Sequence, residues 1–166
     1  SDLRANGSME NFIAYALKDD MLKGRFNFQS TFLDLNELMG PEESTSTADT
    51  AASEMIEVPS NLDFTISAVL AKVLYDNMQL DAVSGTIKVK DAIASMENMK
   101  MNLLDGSLLM NGFYNTANLK KPLMDFDLSI TDWDLPKTYK TFNTIEKLAP
   151  IAKYGTGKFS ANVQLA

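Results

Sequence analysis

Apolar and polar residues alternate along most of this chain, in short runs broken by Gly or Asp. Leu62, Phe64 and Ile66 alternate with Asp63, Thr65 and Ser67, and Ile87 and Val89 with Lys88 and Lys90. Met99, Met101 and Leu103 alternate with Lys100 and Asn102, and Phe126, Leu128 and Ile130 with Asp127 and Ser129. A period of two puts the apolar side chains of a strand on one face and the polar ones on the other. The pattern predicts a sheet with one oily side and one wet side. What covers the oily side is then the functional question.

Strands are predicted at 61–69, 72–83, 85–91, 93–104, 106–115 and 122–132, at the roughly 8–12-residue spacing of an antiparallel meander. Gly85, Asp91, Asp105-Gly106 and the stretch from Asn118 to Pro122 supply the turns. A change of phase within 72–83 points to a bulge near Asp76-Asn77. Upstream, residues 2–6 read as the end of a strand broken at Gly7, with Ser8 capping a helix through Phe12, Ile13, Tyr15, Ala16 and Leu17. A strong strand opens at Lys23-Gly24 with Phe26, Phe28 and Phe32 on one face, and Leu33 to Met39 reads as a short helical turn.

Near the other end, Leu135 to Tyr154 reads as a helix. Asp134 is its cap, Pro136 lies in its first turn, and Tyr139, Phe142, Ile145, Leu148 and Ala149 form its apolar stripe. Pro150 kinks or ends it. A final strand from Gly157 carries Phe159, Ala161, Val163 and Leu165 on one face. The fold class that follows is mainly β with accessory helices: a curled antiparallel β-meander, a groove-like sheet of about eight strands, with two helices.

Residues 40–57 break the pattern. Gly40-Pro41-Glu42-Glu43 leads into a Ser/Thr/Ala tract with no periodicity and few large apolar residues, read as a disordered surface insertion. The strand pattern resumes unchanged at Asn61, so residues 1–166 are expected to form a single domain. The chain does not begin with Met and is expected to be a fragment of a longer one.

Composition narrows the chemistry. A formal charge of −7 argues against nucleic acid, whose phosphates require Lys and Arg, and against adsorption to anionic lipid surfaces through a basic patch. No apolar stretch reaches the roughly 20 residues that span a bilayer. The chain has no Cys and no His, so Ser-His-Asp and Cys-His catalytic arrangements are excluded, along with the commonest metal ligand. Gly155-Thr156-Gly157-Lys158 has only a superficial likeness to a phosphate loop, because it precedes a strand and lacks the spacing. The carboxylate pairs Asp125/Asp127 and Asp132/Asp134 read as solvated strand-face or helix-start residues. No catalytic site, metal site or cofactor is expected.

The chain also repeats itself. Lys23-Gly24-Arg25-Phe26-Asn27-Phe28 matches Thr156-Gly157-Lys158-Phe159-Ser160-Ala161, and Phe26 to Leu35 matches Phe126 to Leu135 through the Asp-Leu pairs Asp34-Leu35 and Asp134-Leu135. A window from a longer array of similar units is expected.

The order of these phrases resembles the C-terminal repeat region of AsmA-like proteins of Gram-negative envelopes, in the form found in Bacteroidetes. The residues that carry the likeness are Phe12-Ile13-Ala14-Tyr15 before Leu22-Lys23-Gly24, then Phe32-Leu33-Asp34-Leu35-Asn36-Glu37-Leu38. Leu74-Tyr75-Asp76-Asn77, Val83-Ser84-Gly85-Thr86-Ile87 and Asn102-Leu103-Leu104-Asp105-Gly106-Ser107-Leu108 follow. Lys140-Thr141-Phe142-Asn143-Thr144 and Leu148-Ala149-Pro150-Ile151-Ala152 complete it. The likeness covers nearly the whole chain except 40–57. It implies a non-catalytic periplasmic protein, held in the inner membrane by an N-terminal helix that this sequence lacks, and linked to outer-membrane integrity and phospholipid movement. Implied partners are phospholipid or another acyl-chain lipid, neighbouring repeats of the same chain, and an envelope protein.

Phe26, Phe28, Phe64, Ile66, Ile87, Val89, Met99, Met101, Met110, Phe126, Leu128 and Ile130 are the candidate lipid-facing residues. Two other readings compete. The same residues form a closed core roofed by the helices, or the sheet is a scaffold that joins neighbouring repeats or a partner through its free edges.

Overall fold

The computed structural model describes residues 1–18, 20–39, 57–142 and 154–166. The expected insertion at 40–57, all but Glu57, and residues 143–153 of the expected helix lie outside the described residues; the described part of that helix ends at Thr141, before an extended Phe142. The chain builds one nine-stranded sheet, mostly antiparallel, open and not closed into a barrel. Its elements are β1 (Arg4–Glu10), α1 (Phe12–Lys18), β2 (Leu22–Ser30), β3 (Leu33–Asp34) and α2 (Leu35–Met39). The meander follows as β4 (Leu62–Tyr75), β5 (Met78–Lys90), β6 (Ile93–Leu103), β7 (Gly106–Asn115) and β8 (Leu123–Asp134). Then come α3 (Leu135–Thr141) and β9 (Lys158–Leu165). The spatial order is β1-β2-β4-β5-β6-β7-β8-β9, with the two-residue β3 also on β4.

Only the contacts of β2 and β3 with β4 are parallel. A parallel neighbour requires the chain to return to its starting end. The segment completing that return is pinned at Val58, whose amide donates to Thr116 Oγ1 at 2.9 Å. The Thr116 amide in turn donates to the Ala92 carbonyl at 2.9 Å.

The strand assignments differ from the sequence expectation in two places. Residues 61–91 form two long strands rather than three, and Asp76-Asn77 is their hairpin turn rather than a bulge, with Tyr75 paired to Met78. Gly85 is not a turn but sits inside β5, where an added Cβ would lie 2.8 Å from the Met99 Cα. Strand β1 also runs through Gly7 and Ser8 to Glu10, so α1 starts later than expected. Gly7 pairs with Phe26, and its missing side chain makes room for that ring, whose Cδ1 lies 2.5 Å from where a Cβ would stand.

The repeated phrases occupy equivalent places. β1 and β2 are an antiparallel pair joined through α1, and β8 and β9 are an antiparallel pair joined through α3. Each Asp-Leu pair ends a strand and starts a helix: Asp34 Oδ1 accepts from the Asn36 amide at 2.9 Å, and Asp134 Oδ1 from the Lys137 amide at 2.8 Å. These carboxylates satisfy amides that a first helical turn leaves unpaired.

Candidate lipid-facing surface

Residues paired across neighbouring strands point to the same side of a sheet. The register therefore sorts the candidates directly. One row runs Phe26, Ile66, Ile87, Met96, Gly112, Phe126 and Leu165, across seven strands. A second holds Phe64, Val89, Ala94, Tyr114 and Met124. A third holds Met99, Met110, Leu128 and Val163, and a fourth Met101, Leu108, Ile130 and Ala161. Phe28, two residues beyond Phe26, shares its face and stacks near it at 6.4 Å between ring centroids. Phe64 meets Phe26 edge-on at 5.6 Å. All twelve candidates thus share one face.

The opposite face is polar. Rows such as Arg25, Thr65, Lys88 and Ser95, and Asn27, Ser67, Thr86 and Glu97, cross it. Lys88 pairs with Glu97 at 2.8 Å and Lys90 with Asp63 at 3.0 Å. The hydrogen bond to Asp63 raises the Lys90 ammonium above its ordinary value. Asp125 and Asp127 lie on this face opposite Phe113 and Asn111, and Asp125 accepts from Gln164 Nε2 at 3.2 Å. Of the other carboxylate pair, Asp134 caps α3, while Asp132 occupies a bulge at φ 55°. Among the described residues no group of three or more acidic side chains gathers as metal ligands do.

Burial is distributed unusually for a one-layer sheet. The buried residues among those described are Leu22, Gly24, Val58, Ala92 and Thr116 at one end of the strands, and Ser30, Leu33, Val73, Val83, Leu103, Trp133 and Thr138 towards the other. No residue of the four rows is fully buried, and all twelve candidates are half-buried. At the second end, Leu33, Val73 and Val83 pack with Leu35, Leu70, Leu80 and Met101. Trp133 stacks on Phe142 at 5.9 Å and meets Phe159 edge-on at 6.3 Å. Its buried indole N–H has no hydrogen-bond partner among the described residues. Among the described residues, full burial is confined to the two ends of the strands, and the middle of the sheet is half-buried.

Three bulges enlarge the apolar face beyond the simple alternation. Ala82 (φ 50°), Asn98 (φ 51°) and Asp132 (φ 55°) are left-handed within or beside shifts of strand register. Each inserts a residue, so that Leu80 and Val83, Met96 and Met99, and Ile130 and Trp133 serve one face at a spacing of three. Met96 and Trp133 are the members of this face that alternation alone misses; Leu108, Tyr114 and Met124 are further members in phase with Met110 and Phe126. A separate polar cleft of about 470 Å³ lies by the β4–β5 hairpin and α3. Its charged groups are already engaged, Asp105 with Lys137 and Asp81 with Gln79.

The geometry defines an open, single-layer β-sheet protein with one continuous apolar face. Compared with protein-family models, curated proteins and solved structures, the chain has no match.

Proposed function

We propose that the open apolar face holds the acyl chains of phospholipid or a similar lipid, and that the chain is a non-catalytic lipid-handling segment. The observation that carries this reading is the middle of the sheet, which the described residues leave only half-buried. Seven strands meet in one row, six of them contributing apolar side chains and β7 contributing Gly112, and among the described residues that row has no fully buried member. Six strand spacings make the row roughly 29 Å across, against about 15 Å for the hydrocarbon of one bilayer leaflet. An apolar patch of that extent is rare on a soluble monomer without a ligand. Burial of lipid methylenes supplies about 0.8 kcal/mol per CH₂, enough for tight holding with little dependence on headgroup.

The resemblance to AsmA-like envelope proteins belongs to the same proposal. On that reading the segment works in the periplasm, in a chain anchored in the inner membrane by a helix outside these residues, and supports outer-membrane integrity. Native mass spectrometry of the chain purified from a Gram-negative host tests it. Co-purified phospholipid that is lost in Ile87→Asp, Met101→Asp and Phe126→Asp variants of unchanged circular dichroism supports the groove. An apo protein that takes up no fluorescent phospholipid refutes it.

A second reading rests on a different observation. Among the described residues β9, the β2-like strand of the second repeat, pairs along one edge only, with β8, whereas the equivalent edge of β2 holds β4 in parallel register. On this reading the sheet is a scaffold extended through its edges by neighbouring repeats or an envelope partner.

A further inference from the structure

We propose that one end of this sheet docks on a phospholipid bilayer bearing anionic headgroups, an inference that rests on the groove reading. One register row marks that end: Lys23, Asp63, Lys90, Ile93, Asn115 and Leu123 lie side by side across β2, β4, β5, β6, β7 and β8. Just beyond the two extremes of this row, the chain leaves the sheet and displays apolar side chains to solvent. At one extreme, α1 has no buried residue, and Phe12, Ile13 and Leu17 are 61%, 72% and 78% exposed. At the other, the segment between β7 and β8 presents Leu119 at 44%, with Leu123 at 60% and Met124 at 50%.

The second tip is built rather than frayed. Asn115 Oδ1 accepts from the Ala117 amide at 2.9 Å, Asn118 Oδ1 from the Lys120 amide at 3.1 Å, and the Asn118 carbonyl from the Lys121 amide at 2.9 Å. The turn holds Leu119, Lys120 and Lys121 outward together, all exposed. Lys18 follows Leu17 in the same way on α1. Large apolar side chains beside lysines match a bilayer surface, where the first enter the acyl boundary and the second meet phosphate. Exposed Glu10, Asp20, Glu57 and Asp91 share this end and limit the electrostatic share, so apolar insertion is the main attraction.

The two tips stand five strand spacings apart, about 24 Å. A flat surface engages both at once. Between them lies the row Phe64, Val89, Ala94, Tyr114 and Met124, the last row of the groove before this end. A bilayer docked across the tips would place that row against its acyl chains, so a lipid tail enters without crossing water. Full burial at this end is limited to small or single side chains, Leu22, Val58, Ala92 and Thr116, whereas the opposite end holds the packed Leu33–Val73–Val83 cluster and Trp133 under Phe142.

Vesicle flotation of this chain, with phosphatidylcholine alone and with added phosphatidylglycerol, tests the proposal. Binding is expected to phosphatidylglycerol vesicles, falling about tenfold or more in Ile13→Asp and in Leu119→Asp, both at exposed positions. Lys120→Glu is expected to weaken binding to the phosphatidylglycerol vesicles alone. Ile87→Asp, inside the groove, is expected to float like the wild type while losing co-purified lipid. No flotation, or flotation that Ile13→Asp and Leu119→Asp leave unchanged, overturns the docking end. Lipid still co-purifying in that case leaves the groove standing.

Discussion

Met96 and Met99 stand three positions apart in β6, yet both belong to the apolar face, Met96 beside Gly112 and Met99 beside Met110. The bulge between them places Asn98 at φ 51°, and the Asn98 amide, outside the regular ladder, donates to Asn111 Oδ1 at 2.7 Å. One side chain on β7 therefore satisfies the backbone group that the bulge frees.

This relationship predicts a graded series. Asn111→Ala should lower stability by about 1 kcal/mol through the lost hydrogen bond. Asn98→Val should cost roughly 1–3 kcal/mol, because a β-branched residue is strained in the left-handed region. Asn98→Gly should be close to neutral. Urea denaturation of the three variants checks the order, and equal midpoints would remove the bulge from the account.

Gly112 predicts a steric limit at the centre of the face. A Cβ there would lie 2.7 Å from the Phe126 Cα and against the Asp125 carbonyl, both backbone groups that cannot swing aside. Gly112→Ala should destabilise by about 1–3 kcal/mol, the usual scale of overpacking. A thermal midpoint equal to that of the wild type would contradict the close approach of β7 and β8.

Asp2 gives a pH dependence. Its carboxylate accepts from Ser30 Oγ at 2.6 Å, Thr31 Oγ1 at 2.5 Å, the Thr31 amide at 3.0 Å and the Phe32 amide at 2.9 Å. These bonds, the Ser30 hydroxyl foremost, hold its pKa well below the ordinary carboxylate value. A depressed folded pKa contributes stability that is present in full above the unfolded value and is lost as pH falls through the folded one. The stability gap between wild type and Asp2→Asn should hold at neutral pH and close only below the normal carboxylate range. Carboxyl carbon NMR should show Asp2 still ionised below the ordinary carboxylate range; a normal titration would sink the prediction.

Much of the candidate surface was legible from alternation, because a strand paired on both sides has its facing fixed by period two. Ile87 with Val89 and Phe126 with Leu128 are such cases. The bulges were harder to read. Ala82, Asn98 and Asp132 are ordinary residues in left-handed positions, where no glycine announces the break. Met96 and Trp133 were therefore out of phase with their own strands in the sequence pattern. Gly85 misled in the opposite sense: its role is to let β6 come close at Met99, so the turn signal of Asp76-Asn77 was assigned to a bulge instead. The contribution of α1 was also obscured, since a helix with an apolar stripe is ordinarily buried, and this one is not.

The central claim is that acyl chains lie on the half-buried middle of the apolar face. The most direct test is photo-crosslinking with a phospholipid carrying a diazirine in its tail, followed by mapping of labelled residues. The account predicts label on Ile66, Ile87, Met96, Met110, Phe126 and Leu128, with little on Thr65, Lys88, Lys100 or Ser129 of the opposite face. Label spread equally over both faces, or absent from the central rows in a protein that binds lipid, would contradict it.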